Sequence, residues 1–116
     1  MLKGRLQAQD FDTKDKDKDI CMNFILHAAD VSNPFKPWEI SILWTEKVLN
    51  EFWCQGDQEK ELNLPVSYLC DRYTTNTAKC QIGFIDFVVF PLYSSIKLFL
   101  PKLDISILVY QQKEMD

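Results

Sequence analysis

At 116 residues, of which 47% are apolar, the chain is at most one small domain or a piece of a larger one. Three Gly and five Pro are too few for a turn-rich β-sandwich, so helices are expected. A net charge of −4 leaves no basic stripe along a duplex, which excludes a nucleic-acid surface. A single anionic small molecule is still allowed, because a metal can offset its charge locally.

The four cysteines (Cys21, Cys54, Cys70 and Cys80) make no Cys-x-x-Cys pair, and Met1-Leu2-Lys3-Gly4-Arg5 lacks the apolar core of a secretory signal. They read as reduced thiols of a soluble, cytoplasmic protein. Cysteine-held zinc is set aside, since the spacing is irregular and His27 is the single histidine. No run approaches the roughly 20 apolar residues of a membrane span. The richest stretch, 82–92, contains Asp86.

In chain order, residues 1–19 read as a lead-in and a charged connector. Within it, 10–19 alternate in sign around one apolar side chain, Phe11. An EF-hand loop does not fit, for want of Gly at its sixth position and Glu at its twelfth. Residues 20–29 are nearly all apolar and predict a helix buried on most sides. Asp30 comes next, and Ser32-Asn33-Pro34 breaks the helix. Pro37 opens the next helix with Trp38 and Glu39 in its first turn. Over 38–54, Ile40, Leu43, Trp44, Val48, Leu49 and Phe52 recur at steps of three and four, a broad apolar face. Gln55-Gly56-Asp57 is expected to stop that helix, with 58–63 and Pro65 as connection. Ser67 or Asp71 is expected to cap the succeeding helix. That helix is expected over 74–93, with Pro91 kinking or ending it. Residues 96–100 stay apolar, and 105–110 predict a last helix or its start. The expected fold is all-α, with 20–116 as its body.

Two positions invite chemistry. A carboxylate directly after an apolar run, as at Asp30, is costly to desolvate unless a cation or hydrogen-bond donors meet it. It either binds a metal, or caps the helix or pairs with a lysine. His27, three residues earlier, shares its helical face, but one histidine does not complete a catalytic zinc site. Gln81 stands in an otherwise apolar helix, and its carboxamide offers both a donor and an acceptor to the edge of a purine. Phe84, three residues on, falls on the same face and can stack on that ring. A solvated glutamine beside a core phenylalanine explains the same spacing. Trp44, Val48 and Phe52 are equally core residues or pocket walls.

Five blocks, taken in order, resemble the class I cyclic-nucleotide phosphodiesterases. They are His27-Ala28-Ala29-Asp30-Val31-Ser32-Asn33-Pro34 with Lys36-Pro37-Trp38, Trp44 and Glu51-Phe52 leading to Gln55-Gly56-Asp57-Gln58-Glu59, Leu64-Pro65-Val66-Ser67, Cys70-Asp71-Arg72, and Gln81-Ile82-Gly83-Phe84-Ile85-Asp86 with Pro91-Leu92. The resemblance covers about residues 20–91 and more loosely the remainder.

It implies the carboxy-terminal part of a helical catalytic domain that hydrolyses cyclic AMP or cyclic GMP to the 5′-monophosphate. Zn²⁺ and Mg²⁺ act as a metal pair in that family. By the same resemblance Asp30 is a metal ligand and Asn33 faces the nucleotide. Gln81 holds the purine between Phe84 and Val48, while Trp44, Phe52 and Leu64 line the rest. The family's remaining metal-binding histidines and its general acid have no counterpart here, because His27 is the lone histidine. The isolated chain is therefore expected to be inactive and only marginally folded, with apolar patches exposed. Two other classes stay open: a non-catalytic nucleotide-binding module, and a helical interaction protein.

Overall fold

The computed structural model describes residues 2–115, and within them every regular element is helical. A short helix, α1 (Leu2–Leu6), leads through a charged loop to α2 (Lys18–Asp30). A 3-10 turn (Asn33–Phe35) comes next, then the long α3 (Trp38–Glu61). After an irregular loop, 62–76, come α4 (Thr77–Phe84), a π-helical turn (Ile85–Val89) and α5 (Phe90–Ile96) in unbroken succession. The last helix is α6 (Ile107–Met115). No helix of the described residues is long and apolar enough to cross a membrane.

Proline sets the turn between α2 and α3 as the sequence predicts. Pro34 lies buried within the 3-10 turn, and Pro37 caps α3. The expected stop at Gly56 does not occur; α3 runs on to Glu61. A Cβ at Gly56 would stand 1.8 Å from the Cys70 carbonyl oxygen. The glycine thus permits a close backbone approach rather than an end to the helix. Helix α4 is capped by neither Ser67 nor Asp71. Asn76 does this, its side chain accepting from the Lys79 amide at 2.9 Å. Pro91 does not end its helix, which continues to Ile96. The π turn lies immediately ahead, around Phe87, whose carbonyl a proline ring at 91 would crowd in a regular α-helix.

The charged lead-in is tied to itself. Arg5 donates to both carboxylate oxygens of Asp17, at 2.6 and 2.7 Å, and Asp17 is only 3% exposed. Phe11 of this loop meets Phe99 with ring centroids 6.1 Å apart.

The core forms where α2, the π turn, α5 and α6 converge, around Ala28, Ile85, Val89, Tyr93, Ile96 and Leu108. Burying side chains such as Ile85 and Val89 contributes about 1.5–3 kcal/mol each. The molecule is flat, 52 × 32 × 18 Å, with a radius of gyration of 17.1 Å. A compact chain of this length would have about 13 Å. A slab 18 Å thick admits at most two layers of helices, so faces expected to be buried lie open. Helix α2 buries Cys21 and Ala28, while Met22, Ile25 and Leu26 are exposed, Leu26 by 73%. This corrects the expectation of a helix buried on most sides. The same holds for α3. Its buried stripe is Ser41, Thr45, Leu49 and Gly56, whereas Ile40, Leu43, Trp44, Val48 and Phe52 are exposed. Ser41, Thr45 and Gly56 face adjoining segments of the same chain, whose close approach their small size permits.

Candidate functional site

A cleft of about 510 Å³ opens between the end of α2, the middle of α3 and the α4–π segment, with Tyr68 and Leu69 of the 62–76 loop at its side. Six of the eight residues singled out from sequence line it: Asp30, Asn33, Val48, Phe52, Gln81 and Phe84. Trp44, 51% exposed, and the exposed Leu64 are not among its lining residues.

Each side chain is set by its element. Gln81 lies in the interior of α4 and is 7% exposed. Among the described residues no side-chain or backbone group hydrogen-bonds its carboxamide. One turn on, Phe84 packs against the core from the cleft's edge. Asn33 begins the 3-10 turn, and its Nδ2 donates to the Ser41 carbonyl at 3.2 Å and to Thr45 Oγ1 at 3.3 Å. The Thr45 hydroxyl donates to the same Ser41 carbonyl at 3.0 Å, so toward Asn33 it acts as acceptor. This fixes the sense of the amide, with nitrogen toward α3 and Oδ1 without a protein partner among the described residues. Asp30 closes α2, where the negative end of the helix dipole disfavours a carboxylate. Asp30 is exposed, so the desolvation cost expected of a carboxylate after an apolar run does not arise, and among the described residues its side chain forms no salt bridge or hydrogen bond.

Residues that sequence reasoning missed complete the walls: Thr45, Tyr68, Leu69, Cys80, Phe87 and Val88. Leu69 has φ of 66°, a left-handed conformation strained for a leucine. Its loop is strapped to the last turns of α3. Ser67 donates to Glu59 from both its amide and its hydroxyl, each at 2.6 Å. Lys60 pairs with Asp71 at 3.0 Å, and Arg72 forks onto Asp57. These contacts hold the Glu59, Asp57 and Asp71 carboxyls below their usual ranges: Glu59 chiefly through the Ser67 hydroxyl, Asp57 through Arg72 and Asp71 through Lys60. The sequence signal for the strap is the cluster Asp57, Glu59, Lys60 and Glu61 late in α3, which periodicity does not read.

Asp30 also borders a second hollow, of about 430 Å³, with Asn23, Leu26 and His27. No group of three or more His, Cys, Asp or Glu side chains placed to hold a metal exists among the described residues. One carboxylate and one imidazole do not make the donor set of a metal pair. The expected Zn²⁺ and Mg²⁺ therefore do not fit these residues alone, and no chemical step is assigned to them.

A family model described as 3′5′-cyclic nucleotide phosphodiesterase matches residues 1–108. The match runs through the charged stretch 10–19, which carries no motif legible by itself. The chain is 54% identical over 77 residues to the Caenorhabditis elegans protein named Probable 3′,5′-cyclic phosphodiesterase pde-1, covering 66% of this chain and 11% of that one. It is 51% identical over 78 residues to the Bos taurus dual specificity calcium/calmodulin-dependent 3′,5′-cyclic nucleotide phosphodiesterase 1B, covering 67% and 15%. Among solved structures, that of LmjPDEB1 in complex with IBMX superposes with a TM-score of 0.85 at 29% identity, over 98% of this chain and 35% of that chain. The chain thus spans well under two thirds of the length of these relatives.

Proposed function

Since the chain belongs to the 3′5′-cyclic nucleotide phosphodiesterase family, we propose that its cleft is the base-binding part of an enzyme hydrolysing cyclic AMP or cyclic GMP to the 5′-monophosphate. One observation carries this reading. Gln81 is nearly buried on the wall of the cleft, yet its carboxamide has no protein partner among the described residues. Its amide atoms keep access to solvent in the cleft, and the edge of a purine can take the place of that water as donor and acceptor. Phe84 and Val48 provide flat and branched apolar surfaces for the two faces of the ring, and Phe52 extends the wall. Asn33 lines the cleft, but its Oδ1 is closed off from solvent, so its nucleotide contact in this reading rests on family resemblance. Trp44 and Leu64 keep nucleotide contacts in this reading on family resemblance alone.

Asp30 supplies one carboxylate to the metal centre, which resemblance makes a Zn²⁺ and Mg²⁺ pair. The ligands it lacks come from outside the described residues, and without them the isolated chain does not turn over substrate. Four unbridged cysteines accord with a reducing, cytoplasmic setting. The lone histidine favours one further reading, a nucleotide-binding module without catalysis.

The test is titration of the 116-residue chain with 5′-AMP and 5′-GMP by calorimetry. Binding of either nucleotide, weakened about tenfold by Gln81→Ala, is the expected result, the loss being that of a buried hydrogen-bonded pair. Equal affinity in the variant would remove the base-reading role, and hydrolysis of cyclic nucleotide by the chain alone would refute its inactivity.

A further inference from the structure

Gln111, on α6, is 0% exposed. Its Nε2 donates to the Lys36 carbonyl at 2.7 Å, across 75 positions of chain, while its Oε1 has no partner among the described residues. An enclosed carboxamide with its acceptor unmet costs stability, and a leucine or methionine of similar volume would remove that cost only by leaving the Lys36 carbonyl without its donor. What the glutamine does supply is a grip on one particular carbonyl.

That carbonyl closes the turn bearing Asn33. The Lys36 amide donates to the Asn33 carbonyl at 3.0 Å, and the Phe35 amide to that of Ser32 at 2.9 Å. The adjoining residue of α6, Gln112, donates to Asp86 Oδ1 at 2.5 Å, on the π turn that continues α4. Helix α6 therefore holds both elements that wall the cleft, the Asn33 turn and the α4–π segment carrying Gln81. The family match ends at residue 108, so both glutamines of this clasp lie outside it.

We propose that Gln111 is a positioning residue for the cleft: through Lys36 it fixes the 3-10 turn, and so the place of Asn33, and α6 is part of the site. The nucleotide part of this inference rests on the base-pocket reading; the positional part does not.

The experiment compares the 116-residue chain with Gln111→Met and Gln111→Leu, which fill the volume without a donor. Amide hydrogen exchange followed by NMR is the first readout, and the Asn33 side-chain amide resonance the second. The expected result is exchange at Lys36 and Phe35 about tenfold faster, with a shifted Asn33 side-chain signal, the loss of one buried hydrogen bond being of that size. Exchange at Asp12, whose amide donates to Asp17, stays unchanged. The unfolding midpoint shifts little, because the variant exchanges the unmet Gln111 Oε1 for a Lys36 carbonyl that has lost its donor, and 5′-AMP binds about tenfold more weakly. A merely structural glutamine would move stability and affinity together. Unchanged Lys36 exchange in either variant overturns the proposal, and so does collapse of Asp12 protection, which would mean that Gln111 supports the whole fold. Failure of the unaltered chain to bind 5′-AMP would refute the base pocket, while exchange would still decide the positioning role.

Discussion

The Tyr93 hydroxyl donates to the carbonyl oxygen of Ala28 at 2.7 Å, joining α5 to the last turn of α2 two residues before Asp30. Carbonyls in a helix's last turn lack intrahelical partners, and Tyr93 satisfies this one inside the core. Burial pushes the phenol pKa up, so the donor keeps its proton through neutral pH. Tyr93→Phe keeps the ring and removes only that bond. Denaturant unfolding should show a loss of about 1–2 kcal/mol, with the carbonyl left unpaired. An unchanged midpoint would mean that water reaches the Ala28 carbonyl.

Gly56 and Gly4 make a matched pair for the steric argument. A Cβ at Gly56 meets the backbone of Cys70, whereas nothing lies within 4 Å of one at Gly4. Gly56→Ala should cost about 1–3 kcal/mol, because backbone rather than a flexible side chain has to move. Gly4→Ala, in the helical α1, should be neutral or gain about 0.4–1 kcal/mol. Equal effects at the two sites would remove the close approach between α3 and the 62–76 loop as the reason for a glycine at position 56.

The same contact marks a boundary of what local sequence conveys. Periodicity, Pro34 and Pro37 place α2 and α3, because those signals are local and the turn between the helices obeys them. Gly56 reads as a stop because its partner, Cys70, stands 14 positions away, and no local pattern reports a contact between segments. Ser41 and Thr45 escape notice for the same reason: small polar residues at i and i+4 look like a solvated stripe until the 3-10 turn packs against them. Large side chains that mark an apolar face on α3 instead lie open, since so thin a slab leaves that face of the helix uncovered. In the cleft, Asp30, Asn33, Gln81 and Phe84 are legible through ordered motifs. Leu69 and Tyr68 come from a loop whose shape depends on Glu59, Asp57 and Lys60, and nothing in their own neighbourhood announces it.

That strap should loosen in acid. Glu59, Asp57 and Asp71 all have carboxyl pKa values lowered by their partners, so the charged forms belong to the folded arrangement. For a lowered pKa, the added stability is complete above the unfolded value, near 4.5 for Glu and 3.8 for Asp, and fades as pH falls through the lower folded value. Between about pH 7 and 5 the Ser67 amide should stay protected from hydrogen exchange, after correction for the intrinsic pH dependence. Below about pH 4 its protection should fall ahead of that of core amides such as Val89, and less steeply in high salt, which already screens the Lys60–Asp71 and Arg72–Asp57 pairs. Loss of protection in step with Val89 would show that the loop has no independent opening. Glu59→Gln should weaken protection at neutral pH and flatten the acid response, since Ser67 keeps a neutral acceptor that does not titrate in this range.

The open face of α2 gives the last expectation. Met22, Ile25 and Leu26 are all at least half exposed on a helix whose opposite face carries Cys21 and Ala28 into the core. An apolar patch of this kind drives self-association unless another surface covers it. Leu26→Lys places a charge where the side chain already meets water, so folding stability should change by no more than about 0.5 kcal/mol. Sedimentation velocity should show the chain self-associating at micromolar concentration and the variant shifted toward monomer. If Leu26→Lys instead destabilises the chain by about 2–5 kcal/mol, the size of a core truncation, then Leu26 is buried within the monomer and a rearranged helix covers it.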